Sequence, residues 1–297
     1  MKFYNFLKKR QSVREFKPQE ISNGKMKKLK DEFKNLESNL TNIEFILFEN
    51  GEEIYNKLEG LGGYSGVMIK APHYIGLKIE KNDDDTIINS SYYMEKLITE
   101  LAKLNLGSCW INLGVVPKEI ISKLIKEKGT MNFMIAFGIP RDEILSKVTN
   151  SEGLNDENLK YLNTYRYSNE LKVEDGPSTS KSSRMAIEDI VFKEKLGQNI
   201  NMDELDQRGL EKLFYYTRYA PSNKNTQPWR FIVKNDKISL AILNPDHKEN
   251  LTDAGIVMYY FEKMAYDLGF NGKWKLKDSD YIEYDNNKYK IVAEFNI

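Results

Sequence analysis

The chain has 297 residues, of which 40% are hydrophobic and 30% charged, a composition typical of a globular protein that can bury a substantial core. Lys and Arg together number 44, as do Asp and Glu, so no overall charge favours nucleic acid or an anionic membrane as partner. The single cysteine excludes an internal disulfide, and the well-separated His73 and His247 give no Cys/His spacing for a metal.

We expect no targeting signal in the first residues of the sequence. Residues 1–16 mix basic residues with short apolar runs and lack the apolar core of a signal peptide. No stretch of the chain approaches the roughly 18 apolar residues of a membrane-spanning helix. We therefore expect a cytoplasmic protein with no membrane partner.

A basic motif follows the first predicted helix, residues 3–9. In Arg10-Gln-Ser-Val-Arg-Glu-Phe16, the residues Arg10, Ser12 and Arg14 alternate. In an extended segment this spacing places two planar cations and a hydroxyl on one face, which suits a phosphate dianion. A solvated run of charges is the alternative interpretation.

Helix and strand patterns alternate through the next 80 residues. Apolar spacing predicts an amphipathic helix over residues 21–36 with its lysines in solvent, and strands over residues 42–48 and 73–79. The glycine-rich residues 60–66 lack the spacing of a dinucleotide fingerprint, so they predict either a turn or a mobile flap. Residues 82–85, Asn-Asp-Asp-Asp, predict a solvated turn.

The remainder of the first half contains a long helix and a strand. The pattern predicts a broadly buried helix over residues 89–106, a helix over 118–128 and a strand over 132–139, with a strand exit at Gly138-Ile-Pro-Arg141. Residues 168–182, which are rich in Ser, Lys, Glu, Gly and Pro without periodicity, predict a linker.

The long helix is followed by Leu106-Gly-Ser-Cys-Trp-Ile111. Gly107 has no side chain and allows another group to approach closely. Cys109 has no histidine or second cysteine nearby in the sequence to activate it. We therefore interpret Cys109 as a buried small hydrophobic residue rather than a nucleophile.

A polar loop between two prolines dominates the second half. Residues 203–219 predict one helix, which Pro221 ends, and residues 229–233 predict a strand. Between Pro221 and Pro228 every residue is short or carries an amide or amine: Ser222, Asn223, Lys224, Asn225, Thr226 and Gln227. Such a loop suits either a polar ligand or a turn closed by its own Asx hydrogen bonds.

These motifs together resemble a known family. The segment Ala220-Pro-Ser-x-x-Asn-x-Gln-Pro-Trp229, after an aromatic-rich helix, resembles the signature of the nitroreductase family of FMN flavoproteins. The Arg10 motif resembles the phosphate-binding motif of that family, and Leu106–Ile111 resembles its Gly-Leu-Gly-Thr-Cys-Trp segment, where backbone amides approach the flavin ring. The resemblance covers most of the chain.

The resemblance implies which residues bind FMN. They are Arg10, Ser12, Arg14, Gly107, Ser108, Arg141, Pro221, Ser222, Asn223 and Asn225. In the family, a basic residue just after the Gly-x-Pro strand exit assists in binding the phosphate. The resemblance gives this role to Arg141, with Lys147 as the alternative. The resemblance implies neither a catalytic side chain nor a metal, because the flavin carries the chemistry.

The second half repeats the first. An offset of 164 residues aligns Met94 with Met258 and Trp110 with Trp274, without a gap through the helix between them. An offset of 174 residues aligns the Arg10 motif with Arg184-Met-Ala-Ile-Glu-Asp-Ile190. There Ser12 becomes Ala186 and Arg14 becomes Glu188, so the second phosphate site is spoiled. The segment Ala220-Pro-Ser-x-x-Asn-x-Gln-Pro-Trp229, which we call the Pro-Ser loop, occurs only in the second half.

The repeat resembles a subgroup in which two nitroreductase-like halves are fused in tandem. We expect an α+β nitroreductase-like fold with helix-covered mixed sheets, divided into a first half (1–167), the linker (168–182) and a second half (183–297). The resemblance implies an intramolecular pseudo-dimer that acts as a monomer. Its one FMN site takes Arg10, Ser12 and Arg14 from one half and the Pro-Ser loop from the other.

The expected function is that of an FMN-dependent oxidoreductase. NADH or NADPH donates hydride, and a small-molecule acceptor such as a nitroaromatic or a quinone receives reducing equivalents in a ping-pong cycle. A flavin store or sensor without turnover is the alternative, and a flavin-free interaction module is a third. The sequence leaves the natural acceptor and the choice between NADH and NADPH open.

Overall fold

The computed structural model describes residues 2–37, 40–63, 66–126, 128–141 and 184–297. They form two compact units. The amino-terminal unit contains residues 6–82 and 96–141, and the carboxy-terminal unit contains residues 2–5, 83–95 and 184–297. The predicted linker lies outside the described residues, so the division into halves 1–167 and 183–297 stays a prediction.

The amino-terminal unit is built on a four-stranded antiparallel sheet. Its strands are β1 (Ile43–Phe48), β2 (His73–Ile79), β3 (Gly107–Asn112) and β4 (Thr130–Gly138). The order in the sheet is β1-β2-β4-β3. The helices before and between these strands are α1 (Phe3–Lys9), α2 (Asn23–Glu37), α3 (Gly51–Leu58), α4 (Asp84–Lys103) and α5 (Lys118–Ile125). Helices α1 and α4 each have residues in both units.

Helix α2 shows why this sequence packs as it does. Its apolar residues Met26, Leu29, Phe33 and Leu36 are buried, as the three- and four-residue spacing predicts. The Phe33 ring lies 5.8 Å from the ring of Phe45 on β1. The lysines between these positions face solvent, so the confirmed amphipathic pattern fixes which side of α2 faces the sheet.

The carboxy-terminal unit contains a second, six-stranded sheet. Its strands are β5 (Val191–Lys193), β6 (Trp229–Val233), β7 (Lys237–Leu243), β8 (Trp274–Leu276), β9 (Tyr281–Tyr284) and β10 (Asn287–Asn296). The order is β5-β6-β7-β10-β8, with β9 also paired to β10. Its helices are α6 (Ile187–Ile190), α7 (Met202–Gln207), α8 (Glu211–Thr217) and α9 (Lys248–Asp267). No helix in the described part of the chain is long and apolar enough to cross a membrane.

The two sheets share one topology. In the amino-terminal unit the order is β1-β2-β4-β3, so β4, the last strand in the sequence, lies between β2 and β3. In the carboxy-terminal unit β6-β7-β10-β8 repeats this order, and all of these pairs are antiparallel. Helices α4 and α9 align at the 164-residue offset. Along the chain, each follows the second of these four strands and precedes the third. The sequence repeat is therefore also a repeat of topology.

Helix α9 and the first half of α4 pack closely within the carboxy-terminal unit. A Cβ atom on Gly255 would lie 2.0 Å from the Ile88 carbonyl oxygen and 2.2 Å from Ser91 Oγ. At the 164-residue offset Ser91 aligns with Gly255, and Asp84 aligns with Lys248, whose Nζ lies 2.8 Å from Asp84 Oδ1. Positions that align in the internal repeat therefore meet at this helix contact.

One tyrosine hydrogen bond and two aromatic ring contacts add to the packing around α9. The Tyr92 hydroxyl donates to Glu262 Oε1 over 2.9 Å. Burial, followed by the neighbouring Glu262 carboxylate, raises the pKa of Tyr92, so its phenol remains a donor at every physiological pH. The Phe3 ring packs edge-on against Tyr259 and Tyr260, with centroids 5.6 and 5.3 Å away. This contact places residues 2–5 in the carboxy-terminal unit.

Two helix predictions were wrong in detail. Residues 203–219 form the two helices α7 and α8 rather than one, because Gly209 between them has a left-handed φ of 67°. Residues 84 and 85, predicted as turn, begin α4 instead. The Asp83 carboxylate accepts from the Thr86 amide over 2.8 Å, and acidic residues stabilise the first turn of a helix.

The Gly255 contact yields a prediction about stability. Gly255→Ala should lower the free energy of unfolding by about 1–3 kcal/mol or more, because the added methyl group meets backbone atoms that cannot rotate away. The control is Gly24→Ala on α2, where a Cβ meets nothing within 4 Å. It should leave stability unchanged or raise it by up to about 1 kcal/mol. Chemical denaturation measures both, and equal stability of the two variants would contradict the packing described here.

Candidate functional site

The basic motif lies along the edge of the four-stranded sheet. Ser12 forms a parallel bridge with Ser108 on the edge strand β3, and the Val13 amide donates to the Ser108 carbonyl oxygen over 3.0 Å. A Cβ atom on Gly107 would lie 2.7–2.9 Å from the side-chain atoms of Val13. The missing side chain of Gly107 therefore lets the motif lie directly against β3.

Two of the polar residues of the motif, Arg10 and Ser12, lie close together. Arg10, Ser12 and Arg14 are all half-buried, and Arg10 Nη1 lies 3.5 Å from Ser12 Oγ. Further along, the Arg141 amide donates to the Glu15 carbonyl oxygen over 3.1 Å. This contact brings the exposed Arg141 to the residue that follows Arg14. Lys147, its predicted alternative, lies outside the described residues.

Six of the predicted site residues are thus neighbours in one unit: Arg10, Ser12, Arg14, Gly107, Ser108 and Arg141. They bring three arginines, two serines and one glycine together at one sheet edge. Guanidinium and hydroxyl donors are the groups that bind phosphate oxygens. These groups can bind an anion. Their role in binding FMN stays a prediction.

Cys109 does not take part in this edge chemistry. Its side chain is 6% exposed, and its Sγ lies 3.5 Å from the Trp110 carbonyl oxygen. A buried free cysteine packs as a small hydrophobic residue. The observed position agrees with its interpretation as a buried small hydrophobic residue.

The other four predicted residues, Pro221, Ser222, Asn223 and Asn225, lie in the carboxy-terminal unit on the loop between α8 and β6. Pro221 and Pro228 are both buried at its ends. Residues Asn223–Asn225 form one turn of 3-10 helix. Lys224, Asn225 and Gln227 have positive φ angles of 49°, 58° and 48°, a backbone conformation that non-glycine residues adopt only when their surroundings hold it. We call residues 221–228 the polar loop.

Hydrogen bonds from inside the unit hold the polar loop. Both carboxylate oxygens of Asp253, on α9, accept from the Asn223 amide over 3.0 and 3.1 Å. Within the loop, the Gln227 amide donates to Ser222 Oγ over 3.0 Å. The Gln227 side chain accepts from the Met185 amide over 3.0 Å. The loop conformation is therefore set by side chains that are themselves buried, since Asp253 is 2% and Gln227 3% exposed.

Arg184 is the strongest anchor of this loop. It is 5% exposed, and its Nη1 donates to the Ala220 carbonyl oxygen over 2.9 Å and to Asn225 Oδ1 over 2.8 Å. Its Nη2 donates to the Tyr219 carbonyl oxygen over 3.3 Å. One side chain thus joins the end of the α8 segment to the middle of the polar loop.

A second arginine is buried beside it. The Arg218 guanidinium lies 4.8 Å from the centre of the Tyr215 ring and 5.0 Å from that of Tyr219. Its Nη2 also lies 3.1 Å from the Tyr219 hydroxyl. Stacking of this kind holds a cation against aromatic faces, so the aromatic residues before Pro221 have a structural partner in their own unit.

Sequence analysis missed three residues that shape the loop. Arg184 was considered only as the counterpart of Arg10, and Gln227 only as one of several polar residues. Asp253 was not considered, although an acidic residue within the apolar run Leu251–Met258 signals a buried polar contact. The partners of these residues lie 30 to 42 positions away, beyond the reach of local patterns.

Comparison with known proteins identifies the family. A family profile described as "Putative TM nitroreductase" matches residues 2–265. The crystal structure of a putative nitroreductase from Thermotoga maritima MSB8 aligns with a TM-score of 0.53 and 15% identity, over 98% of this chain and 94% of that chain. A search of curated proteins found no match.

Two further solved structures align less closely. An FMN-dependent nitroreductase from Clostridium difficile R20291 has a TM-score of 0.41 and 21% identity, over 58% of this chain and 99% of its own. The NADPH:FMN oxidoreductase from Vibrio harveyi, complexed with NAD+, has a TM-score of 0.40 and 14% identity, over 56% of this chain and 86% of its own. Because the profile spans most of this chain and the Thermotoga maritima structure shares its topology, the protein has a nitroreductase-like fold and belongs to the family described as "Putative TM nitroreductase".

Proposed function

We propose that this protein is an FMN-dependent oxidoreductase that uses NADH or NADPH as electron donor and reduces a nitroaromatic, a quinone or a similar small acceptor. Membership of the nitroreductase family supports the reaction class. The single observation that carries the proposal is the sheet edge where Arg10, Ser12 and Arg14 lie against β3. The proposed location is the cytoplasm.

The residues at this edge fit the phosphate of FMN. Two arginines and a hydroxyl alternate along one extended segment, and Arg141 approaches from the exit of β4. Guanidinium groups hold phosphate oxygens in pairs and stay charged at all relevant pH values. The matching charge and donor chemistry support Arg10, Ser12, Arg14 and Arg141 as the phosphate anchors.

The flavin ring would meet the backbone at Gly107 and Ser108. The hydrogen bond between Val13 and Ser108 ties this part of β3 to the phosphate motif, so the two would be positioned as one element. Val13 already packs against Gly107, so the contact with the ring would be made by backbone amides of this segment, as the family resemblance implies, rather than through the space left by the missing side chain. The charge and donor chemistry of the edge suits the phosphate of FMN.

The polar loop would supply further contacts. From the sequence, we propose that Pro221, Ser222, Asn223 and Asn225 bind the same FMN as the arginine motif, because each half keeps a different part of the family pattern. The loop contributes hydroxyl and amide groups and few charges, which suits the polar edge of a flavin rather than its phosphate. Its rigid anchoring supports a binding role, because a preorganised loop loses less entropy on binding.

When bound, FMN supplies the redox chemistry, taking hydride from NADH or NADPH and passing reducing equivalents to the acceptor. The chain's own residues need only bind and orient. The basic edge would hold the phosphate, and the polar loop would hold the ring in a fixed position. In this proposal no side-chain acid, base or nucleophile is required.

Turnover separates this proposal from a flavin store or sensor. The protein reconstituted with FMN should oxidise NADH or NADPH at a rate that rises with added quinone, because donor and acceptor would use the same flavin in turn. Steady-state absorbance of the nicotinamide follows the reaction, with FMN and no protein as the control. Bound flavin with no oxidation above that control would favour the store or sensor.

Charge reversal tests the phosphate anchor. Arg14→Glu should raise the Kd for FMN by about 100-fold or more, because it removes charge-assisted hydrogen bonds and adds a repelling carboxylate. It copies Glu188, the residue at the aligned position of the second half. The matched control is Lys17→Glu, an equal charge change at an exposed residue of the same segment. Titration of FMN fluorescence measures both, and equal effects of the two substitutions would contradict a specific role for Arg14.

Stoichiometry tests the pseudo-dimer. We predict one FMN per chain and the solution mass of a single chain. At the position aligned with Arg10, Arg184 is buried and bonded to the polar loop, and the positions aligned with Ser12 and Arg14 are Ala186 and Glu188. Flavin released by denaturation, measured against protein concentration and with light scattering, checks this. Two flavins per chain would contradict the loss of the second site, and a dimer needed for binding would contradict internal pairing.

A further inference from the structure

We propose that Arg184 is a positioning residue that sets which hydrogen-bonding group Asn225 presents to the ligand of the polar loop. This inference rests on the proposed function, because it concerns the binding of the flavin by that loop. It assigns to Arg184 a role different from that of Arg10, the residue with which it aligns in the internal repeat.

The geometry of Arg184 leaves its guanidinium one arrangement. At 5% exposure it lies between the Tyr219 and Ala220 carbonyl oxygens and Asn225 Oδ1, at 3.3, 2.9 and 2.8 Å. A guanidinium group is a rigid planar fork of donors and has no acceptor. Three oxygen acceptors from one short stretch of chain therefore hold the two terminal nitrogens of this fork.

The same chemistry fixes the orientation of the Asn225 amide. Because Arg184 can only donate, the side-chain oxygen of Asn225 must face it, and the NH2 group must be turned away. Asn225 therefore presents donors on its other side. The ligand atom that this side chain suits is an acceptor, such as a carbonyl oxygen or an unprotonated ring nitrogen, and both occur at the polar edge of a flavin.

The backbone of the loop depends on the same contact. Lys224 and Asn225 are successive residues with positive φ, a conformation that non-glycine residues adopt only when their surroundings hold it. Gln227 adds a second connection, since its side chain accepts from the Met185 amide and donates to the Asn225 carbonyl oxygen over 3.3 Å. Residues 184 and 185 together hold the loop at two points.

The internal repeat shows that Arg184 has a use of its own. Among the positions aligned with Arg10, Ser12 and Arg14, only the first is still an arginine, while the others are the exposed Ala186 and Glu188. Arg10 lies beside Ser12 at the sheet edge, whereas Arg184 is buried on the polar loop. The same position in the two halves thus carries an anion-binding residue in one and a loop anchor in the other.

The test compares three substitutions with a control in the full chain. Arg184→Met keeps an unbranched apolar stem but removes every donor, Arg184→Lys keeps a charge and a donor, and Asn225→Asp keeps an oxygen for Arg184 but removes the NH2 donors. The control is Arg208→Met in the same unit, since Arg208 also donates to backbone carbonyl oxygens, those of Lys234 and Asn235. Two quantities are measured: hydrogen exchange of residues 219–228 without flavin, and the Kd for FMN.

Arg184→Met should speed exchange of the loop amides and raise the Kd for FMN by about tenfold or more, the effect expected from losing a hydrogen bond to a charged group. Arg184→Lys should restore part of both. Asn225→Asp should leave hydrogen exchange of the loop amides as in the wild type, yet it should raise the Kd for FMN by a similar factor. Arg208→Met should change neither quantity.

Three outcomes overturn the inference: loop exchange in Arg184→Met no faster than in Arg208→Met, faster exchange with unchanged FMN affinity, or full FMN affinity in Asn225→Asp. If Arg184→Met does not fold, Asn225→Asp decides, because it keeps the anchor in place. A wild-type protein that binds no FMN refutes the proposed function and the flavin part of this inference, while the exchange measurement still decides whether Arg184 orders the loop.

Discussion

The absence of a side chain at Gly255 is the constraint on which the packing of the carboxy-terminal unit depends. A methyl group there would lie 2.0 Å from a carbonyl oxygen of α4, so the two helices can approach only as glycine allows. Around this point lie the Asp84–Lys248 ion pair and the Tyr92–Glu262 hydrogen bond. The two helices in contact are the ones that align in the internal repeat.

Each unit also shows how a duplicated framework can carry different chemistry. The two sheets have the same strand order and direction, yet the arginine that begins the motif lies at an exposed edge in one and is buried in the other. Where Gly107 admits Val13, the amino-terminal unit gains a basic edge suited to a phosphate. Where Arg184 meets Asn225, the carboxy-terminal unit gains a rigid polar loop. The aligned positions also differ, because Ser12 and Arg14 correspond to Ala186 and Glu188.

Local patterns predicted much of this structure. The buried stripe of α2 and the bounds of β2 follow from spacing alone, whereas the alternation around Arg10 predicted an extended segment but not its place at the sheet edge. The start of α4 was missed although Asp83 and Thr86 form a capping pair that the sequence displays. The break at Gly209 was missed because the apolar spacing continues across it.

Contacts between distant residues could not be predicted in this way. The placement of β4 between β2 and β3 depends on pairings across the whole sheet, which no local period specifies. Arg184 and Asp253 reach the polar loop from 41 and 30 positions away, so their partners appear only in the fold. The family resemblance named the loop, but the residues that hold it in shape had no motif of their own.

The central claim is that this chain binds FMN, and the visible absorbance spectrum of the protein tests it most directly. The purified protein should be incubated with FMN, freed of unbound flavin by gel filtration, and compared with a carrier protein treated in the same way. We expect flavin absorbance bands that elute with the protein and are displaced from the spectrum of free FMN. A colourless protein after this treatment, with the carrier's spectrum, would contradict it.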